Sequence, residues 1–434
     1  MKLSGWGQYP TAQAESRVVH SKRKVSELLA ETQSAHLIPR GLGRSYGDSA
    51  LAEQILNTQH LNHFMAFDPS TGEISCAAGV SFAELLEIFV PRGWFLPVTP
   101  GTKFVTVGGA IASDVHGKNH HLDGCFSQHV LSIKLALASG EIIDCSPSEH
   151  PELFHATCGG MGLTGVILQA TFRLLPIESA LIEERSYKTK NLAETLELFE
   201  EHEASTYSVA WIDCLSTGDK LGRSLLMLGE HATRGELEAH KNSKLNVPIN
   251  MPNLLLNRYS IQAFNTLYYH KQTQTHAQRS VHYEPYFYPL DGIHNWNRLY
   301  GKNGFTQYQF VLPKEAGLEG MTRILKEIAQ SKRGSFLAVL KAFGAANENY
   351  LSFPTEGYTL ALDFKIDAAL FPFLEELDHI VLDYGGRLYL TKDARMSETT
   401  FKQSYPLWET FQEVRTRYGA DQVFNSLQSQ RLGL

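Results

Sequence analysis

Residues 100–121 read PGTKFVTVGGAIASDVHGKNHH. A β-branched run over 104–107 meets Gly108-Gly109, and the small residues Ala110, Ala112 and Ser113 follow. Glycine has no Cβ and tolerates unusual φ values, so such a turn lets the main chain come close to a polyanion. The stretch ends in a polar cluster of His116, Lys118, Asn119, His120 and His121. Two readings stand: a ligand-contacting turn between strand and helix, or a close-packed helix start beneath a strand.

Working outward, a second glycine loop, GLGRSYGD, occupies 41–48 behind a short apolar run that ends in Pro39. Its spacing misses the dinucleotide fingerprint by one position, and Pro39 does not suit a central strand, so a Rossmann reading fails. An anion nest carrying Arg44 and Ser45 remains, with a surface turn as the alternative. On the other side, GGMGLTG at 159–165 feeds an apolar strand over 166–175.

Ser81 and Glu84 form a capping box ahead of Phe82, Leu85, Leu86 and Phe89, and Pro91 with Gly93 ends that helix. Residues 130–136 and 141–145 around Ser139-Gly140 predict a hairpin. Three glycine turns among short strands and small helices indicate an α+β domain that wraps a ligand with loops. After about residue 176 the texture changes. Amphipathic segments at 192–202, 315–331 and 368–384 alternate with strands at 208–213, 305–312, 336–343 and 358–364, the pattern of a second α+β domain. Residues 241–288, which include Met251-Pro252-Asn253-Leu254-Leu255-Leu256, lack clear periodicity and read as a mobile lid or long excursion, with ordinary packing as the alternative.

The 43% hydrophobic and 20% charged composition describes a globular protein, and a net charge of −7 speaks against nucleic acid as partner. No run of eighteen apolar residues occurs and the first residues lack an apolar core, so a cytoplasmic protein is expected, with peripheral contact to the inner membrane left open. Five scattered cysteines without a CxxC argue against a disulfide framework and a thiolate zinc site. His116, His120, His121 and His129 suggest a metal-dependent hydrolase as a rival, but Gly117 and Asn119 interrupt a helix and no HExxH glutamate is present. No metal is expected.

GLGRSYGD, PGTKFVTVGGAIASDVHGKNHH, CGGMGLTGVILQATFRLLP, FTQYQFVLP, LSFPTEGY and GGRLYLTKDAR occur in an order that resembles the flavin oxidases of the vanillyl-alcohol oxidase superfamily, and within it the decaprenylphosphoryl-β-D-ribose 2-oxidases. The resemblance implies an α+β, two-lobed PCMH-type FAD-binding domain in two segments, 1–178 and 387–434. These enclose a substrate domain at 179–386 built as an antiparallel sheet flanked by helices. It places Arg40, Gly41, Leu42, Gly43 and Arg44, then Ser45, Tyr46, Gly47, Asp48 and Ser49, at the FAD pyrophosphate, joined by Gly101, Thr106, Val107, Gly108 and Gly109. Ser113, Asp114, Val115 and His116 would lie along the flavin, with Val166 and Tyr389 completing its pocket. Arg44 stands where many relatives carry a flavin-tethering histidine, so the FAD is expected to be non-covalent.

The implied reaction is oxidation of a secondary hydroxyl, at C2, of a polyprenyl-phosphate-linked pentose. It is the first half of an epimerisation that makes the lipid-linked arabinose donor of the cell envelope. The resemblance makes Lys392 the active-site lysine, and desolvation against an apolar flavin face would lower its pKa and suit it to take the hydroxyl proton. Gln307 and Gln309 alternate about Tyr308, so both face one side of a strand. Tyr46, Lys118, Trp211 and Lys341 would complete the substrate pocket. The chain carries no nicotinamide fingerprint, so a separate NAD(P)H-dependent short-chain ketoreductase is the implied partner, with quinone or oxygen as electron acceptor. Ala361 replaces the pocket cysteine of close relatives. An alditol or aldonolactone oxidase acting on a free sugar is the alternative, and a non-catalytic flavin-binding protein a third.

Overall fold

A computed structural model describes residues 1–31, 36–241, 245–252 and 256–434. It is an α+β structure. Near the N-terminus, Glu15–Val18 and Leu37–Arg40 both pair in parallel with Gln54–Asn57. Leu37–Arg40 therefore delivers the 41–48 glycine loop at its C-terminal end. Beside it lies a five-stranded antiparallel sheet ordered Ile142–Cys145, Val130–Ala136, Val166–Arg173, Glu73–Ala77, Phe64–Asp68. The helix Phe82–Phe89 starts at the expected capping box and buries Phe82, Leu85, Leu86 and Phe89. Thr106 caps the short helix Val107–Ala112 by accepting the Gly109 N–H at 3.1 Å.

The second half is built on an eight-stranded antiparallel sheet. Its order is His276–His282, Leu181–Thr189, Ser224–His231, Tyr207–Ile212, Ala338–Phe343, Gly357–Lys365, Phe305–Pro313, Arg387–Leu388. Leu192–Glu201, Gly317–Ser331 and Leu370–Asp383 pack as helices against it. Register places Trp211, Val339, Ala361 and Gln309 in one row across four strands. Directly paired residues share a face and the pleat repeats every two residues, so Gln307, Asp363 and Lys341 project from that same face.

Residues 241–288 depart from the lid reading. They contain the helix Arg258–Lys271 and the edge strand His276–His282, which joins the large sheet. Of the 251–256 run, residues 253–255 lie outside the described residues. The chain then returns to its start: the Leu37 N–H bonds Val423 O at 3.1 Å and the Asn425 N–H bonds Leu37 O at 3.0 Å. Arg415, fully buried, donates to Leu163 O and Phe424 O at 3.2 and 2.8 Å and ties this C-terminal segment down.

Candidate active site

A cavity of about 910 Å³ lies between the glycine loops and the inner face of the eight-stranded sheet. That is the upper end of the range of small-molecule and cofactor sites. At one end stands the 41–45 loop. Among the described residues, the N–H groups of Gly41 through Ser45 donate to no protein acceptor. Gly41 packs on the Thr106 side chain, and a Cβ there would strike the threonine hydroxyl. Gly43, at φ +63°, covers the Arg40 guanidinium, itself held by Ala50 O at 2.9 Å and Ser4 O at 2.6 Å. Arg44 lies over the Trp6 ring at 4.2 Å and faces Phe104 at 5.3 Å.

The Thr106–Gly109 stretch differs from its expected part. Val107 and Gly108 donate to Val80 O and Ala78 O, both at 2.8 Å, and Gly109 donates to Thr106. Its donors are used within the fold, so it supports the cradle with close packing, and the unused donors sit on the 41–45 loop.

Of the residues expected at the cofactor, Arg40 to Tyr46, Ser49, Gly101, Thr106, Gly108, Gly109, Ser113, Val115, His116 and Tyr389 line the cavity. Gly47, Asp48, Val107, Asp114 and Val166 do not. Gly47 is pressed on the Asp393 carbonyl. Asp48 is bound by Arg431 at 2.8 Å. Val107 and Val166 are fully buried in apolar cores. Asp114 is a buried structural carboxylate, accepting from Asn347, Asn349 and Ser352 at 2.7, 2.9 and 2.6 Å.

Tyr46, Lys118, Trp211, Gln307, Gln309, Lys341 and Lys392 all line the cavity. The Lys392 ammonium sits 4.0 Å above the Tyr46 ring. Gln307 Nε2 donates to Asp363 Oδ1 at 2.7 Å and reaches the Tyr46 hydroxyl at 3.4 Å, and the Tyr300 hydroxyl donates to Asp363 Oδ2 at 3.1 Å. Gln309 Nε2 donates to His116 Nε2 at 3.1 Å and Thr359 Oγ1 at 3.3 Å. That bond makes Nε2 of His116 the acceptor and puts its proton on Nδ1, which is buried with no protein partner among the described residues. Lys118 donates to Tyr286 O at 2.5 Å and rests on the Tyr286 ring. The remaining histidines go separate ways: His120 Nδ1 accepts the Gly344 N–H, His121 meets Ser205 O, and His129 meets Asp123 O.

Burial dominates the charge states. It pushes Lys392 down to about 7; Asp363 opposes that and Lys341 adds to it. Lys341 falls to about 8 by burial alone. Lys118 falls to about 7, with Glu184 resisting. Asp363 rises to about 7 by burial, against the bonds from Gln307 and Tyr300 and the charge of Lys392. His116 is held well below its usual value by burial and by Lys341, His120 and Lys392, so it is neutral.

Asp363 and Tyr300 were not anticipated. The signal for Asp363 was present, since it is the lone carboxylate of the apolar strand Gly357–Lys365.

Residues 17–146 match the family model described as an FAD binding domain. Over 452 aligned positions, covering 100% of this chain and 97% of the relative, the chain is 38% identical to decaprenylphosphoryl-beta-D-ribose oxidase of Mycolicibacterium smegmatis. The chain belongs to the decaprenylphosphoryl-β-D-ribose oxidase family. Like that family it is an FAD-dependent oxidoreductase of the PCMH-type, vanillyl-alcohol oxidase superfamily. More distant is the L-gulono-1,4-lactone dehydrogenase of Mycobacterium tuberculosis, 21% identical with 96% of each chain covered. The D-arabinono-1,4-lactone oxidase of Yarrowia lipolytica is 30% identical over 31% of this chain and 27% of its own. The residues fit FAD: the unused N–H groups of 41–45 lie on a loop that lines the cavity and suit a pyrophosphate.

Proposed function

We propose that the chain oxidises a secondary hydroxyl, at C2, of a polyprenyl-phosphate-linked pentose to a ketone. The observation that carries this reading is the convergence of Lys392, Tyr46, Gln307 and Gln309 on one wall of the cavity that the glycine loop closes. FAD, held without a covalent bond, supplies the two-electron acceptor when bound. Lys392 in its neutral form takes the hydroxyl proton as the C2–H bond breaks. Gln307 and Gln309 spend their N–H groups on Asp363, His116 and Thr359, which leaves each Oε1 to accept a sugar hydroxyl. Lys341, with no ion-pair partner among the described residues, gives the sugar phosphate a countercharge.

In this reading residues 1–178 and 387–434 form the two segments of a two-lobed FAD domain around a substrate domain at 179–386. The pairing of Leu37 with Phe424 supports it. The keto product is completed by a separate NAD(P)H-dependent ketoreductase, and quinone or oxygen takes the electrons. A polyprenyl tail calls for docking at a bilayer, on the cytoplasmic side of the inner membrane; no helix of the described residues is long and apolar enough to cross one.

The test is anaerobic reduction followed by flavin absorbance. Polyprenyl-phosphate ribose should bleach the flavin, and the free sugar or an aldonolactone should not. Bleaching by the free sugar at an equal rate would transfer the reading to the lactone oxidases.

A further inference from the structure

The chain holds 46 acidic against 39 basic residues, yet 241–282 contain no Asp or Glu and five cations, Lys241, Lys244, Arg258, Lys271 and Arg279. The same segment gathers exposed apolar side chains. Leu245, Ile249, Tyr259 and Leu267 are 64 to 73% accessible and Phe264 is 42% accessible, whereas the other large exposed apolar residues are scattered singly. Scattered ones need no explanation; a cluster does.

The helix Arg258–Lys271 is apolar on two sides. Its inner side buries Ile261, Asn265 and Tyr269. Its outer side presents Tyr259, Ala263 and Leu267 at successive four-residue steps and Lys271 at the next, so they share a face. Arg258 and Lys271 have no ion-pair partner among the described residues, while Arg279 is taken by Glu184 at 2.8 Å. Asn246, Tyr268 and Lys271 also line the cavity, and Tyr268 leans on Trp211 with ring centroids 4.7 Å apart. The surface therefore borders the active-site opening.

We infer that the outer face of Arg258–Lys271 docks on an anionic lipid bilayer. An acid-free helix that exposes Tyr259, Phe264 and Leu267 and carries a cation at each end suits an anionic interface, and each cation near such a surface adds attraction. An acidic protein groove would ask for one stripe of anchors on one helix. Here Tyr259, Phe264 and Leu267 fan around the exposed part of the helix, which a fluid surface accepts. The inference does not depend on which sugar is oxidised, because docking is measured without substrate.

The experiment is flotation of the FAD-loaded full chain with phosphatidylglycerol–phosphatidylcholine vesicles, and with phosphatidylcholine alone. Co-flotation is expected with the anionic vesicles at low salt and is lost at high salt. Arg258→Gln and Lys271→Gln should each lower partitioning about fivefold, and about 25-fold together. Tyr259→Ser with Leu267→Ser should release the protein at unchanged flavin absorbance, and Leu267→Trp should give a blue-shifted emission on vesicles. No co-flotation, equal binding to neutral vesicles, or binding that survives these substitutions would overturn the inference.

Discussion

Replacing Lys392 by Met removes the proposed base while keeping an apolar stem of similar length. With its pKa pushed down to about 7, roughly half of the Lys392 amines are neutral at pH 7. A solvated lysine at its ordinary value of 10.5 would be neutral in about one molecule in 3,000 at that pH. The fold thus raises the supply of free base about a thousandfold. Loss of a positioned base costs about 10²- to 10⁴-fold in rate, and that is the expected fall in stopped-flow flavin reduction by Lys392→Met at unchanged FAD content. Stability should move the other way. A lysine whose folded pKa lies below its unfolded one leaves the folded chain holding fewer protons between about pH 7 and 10.5, so stability rises with pH across that window. At pH 7 the residue destabilises the fold by an amount on the order of a few kcal/mol, so Lys392→Met should melt no lower than the parent. In the parent, reduction should accelerate through about pH 7, Asp363→Asn should shift that limb to lower pH, and Lys341→Met should shift it to higher pH. Reduction of Lys392→Met at the parent rate, or shifts of the same sign in the two neighbours, would refute the assignment.

Acid precipitation should release the flavin to the supernatant, because the resemblance sets Arg44 at the tethering position; absorbance of the two fractions decides it. Arg431→Ala strands the buried carboxylates of Asp48 and Asp393, each held at 2.8 Å, and should lower stability in urea by about 3–5 kcal/mol. Asp114→Ala removes the acceptor of three side-chain donors, those of Asn349 and Ser352 buried, so a loss of about 3 kcal/mol and weaker flavin retention are expected in the same titration. All five native cysteines are buried, whereas position 361 lines the cavity opposite Gln309. Ala361→Cys should therefore take up one maleimide by mass, and the parent none.

Where a local pattern governs an element, the sequence revealed it. The Ser81–Glu84 box starts a helix, 130–136 is a strand, and Gln307 and Gln309 share a face because Phe305–Pro313 is regular. The helix Arg258–Lys271 escaped because it is apolar on two sides, which erases the one-sided stripe that marks a helix. His276–His282 escaped because an edge strand largely exposed on both faces has no alternation to read. At the site, the cavity-lining residues were legible through the resemblance. The structural duties of Asp48 and Asp114 were not, since their partners lie hundreds of residues away in sequence.

Those distant partners join the cofactor loop to the proposed base. The Tyr46 N–H bonds Thr391 O at 3.0 Å, Gly47 lies against the Asp393 carbonyl, and Arg431 bridges Asp48 and Asp393. Lys392 is therefore flanked by two residues that each hold the 46–48 turn. On its other side, Tyr389 donates its N–H to Gln309 O at 3.0 Å, which fixes the segment to the strand carrying both glutamines. Loop, lysine and sugar-facing amides form one hydrogen-bonded frame drawn from three distant parts of the chain. Proton transfer needs the base positioned within fractions of an ångström relative to the reacting bond. Fastening the lysine to the loop proposed to hold the cofactor, and to the strand proposed to face the sugar, meets that requirement without asking either half of the chain to be rigid by itself.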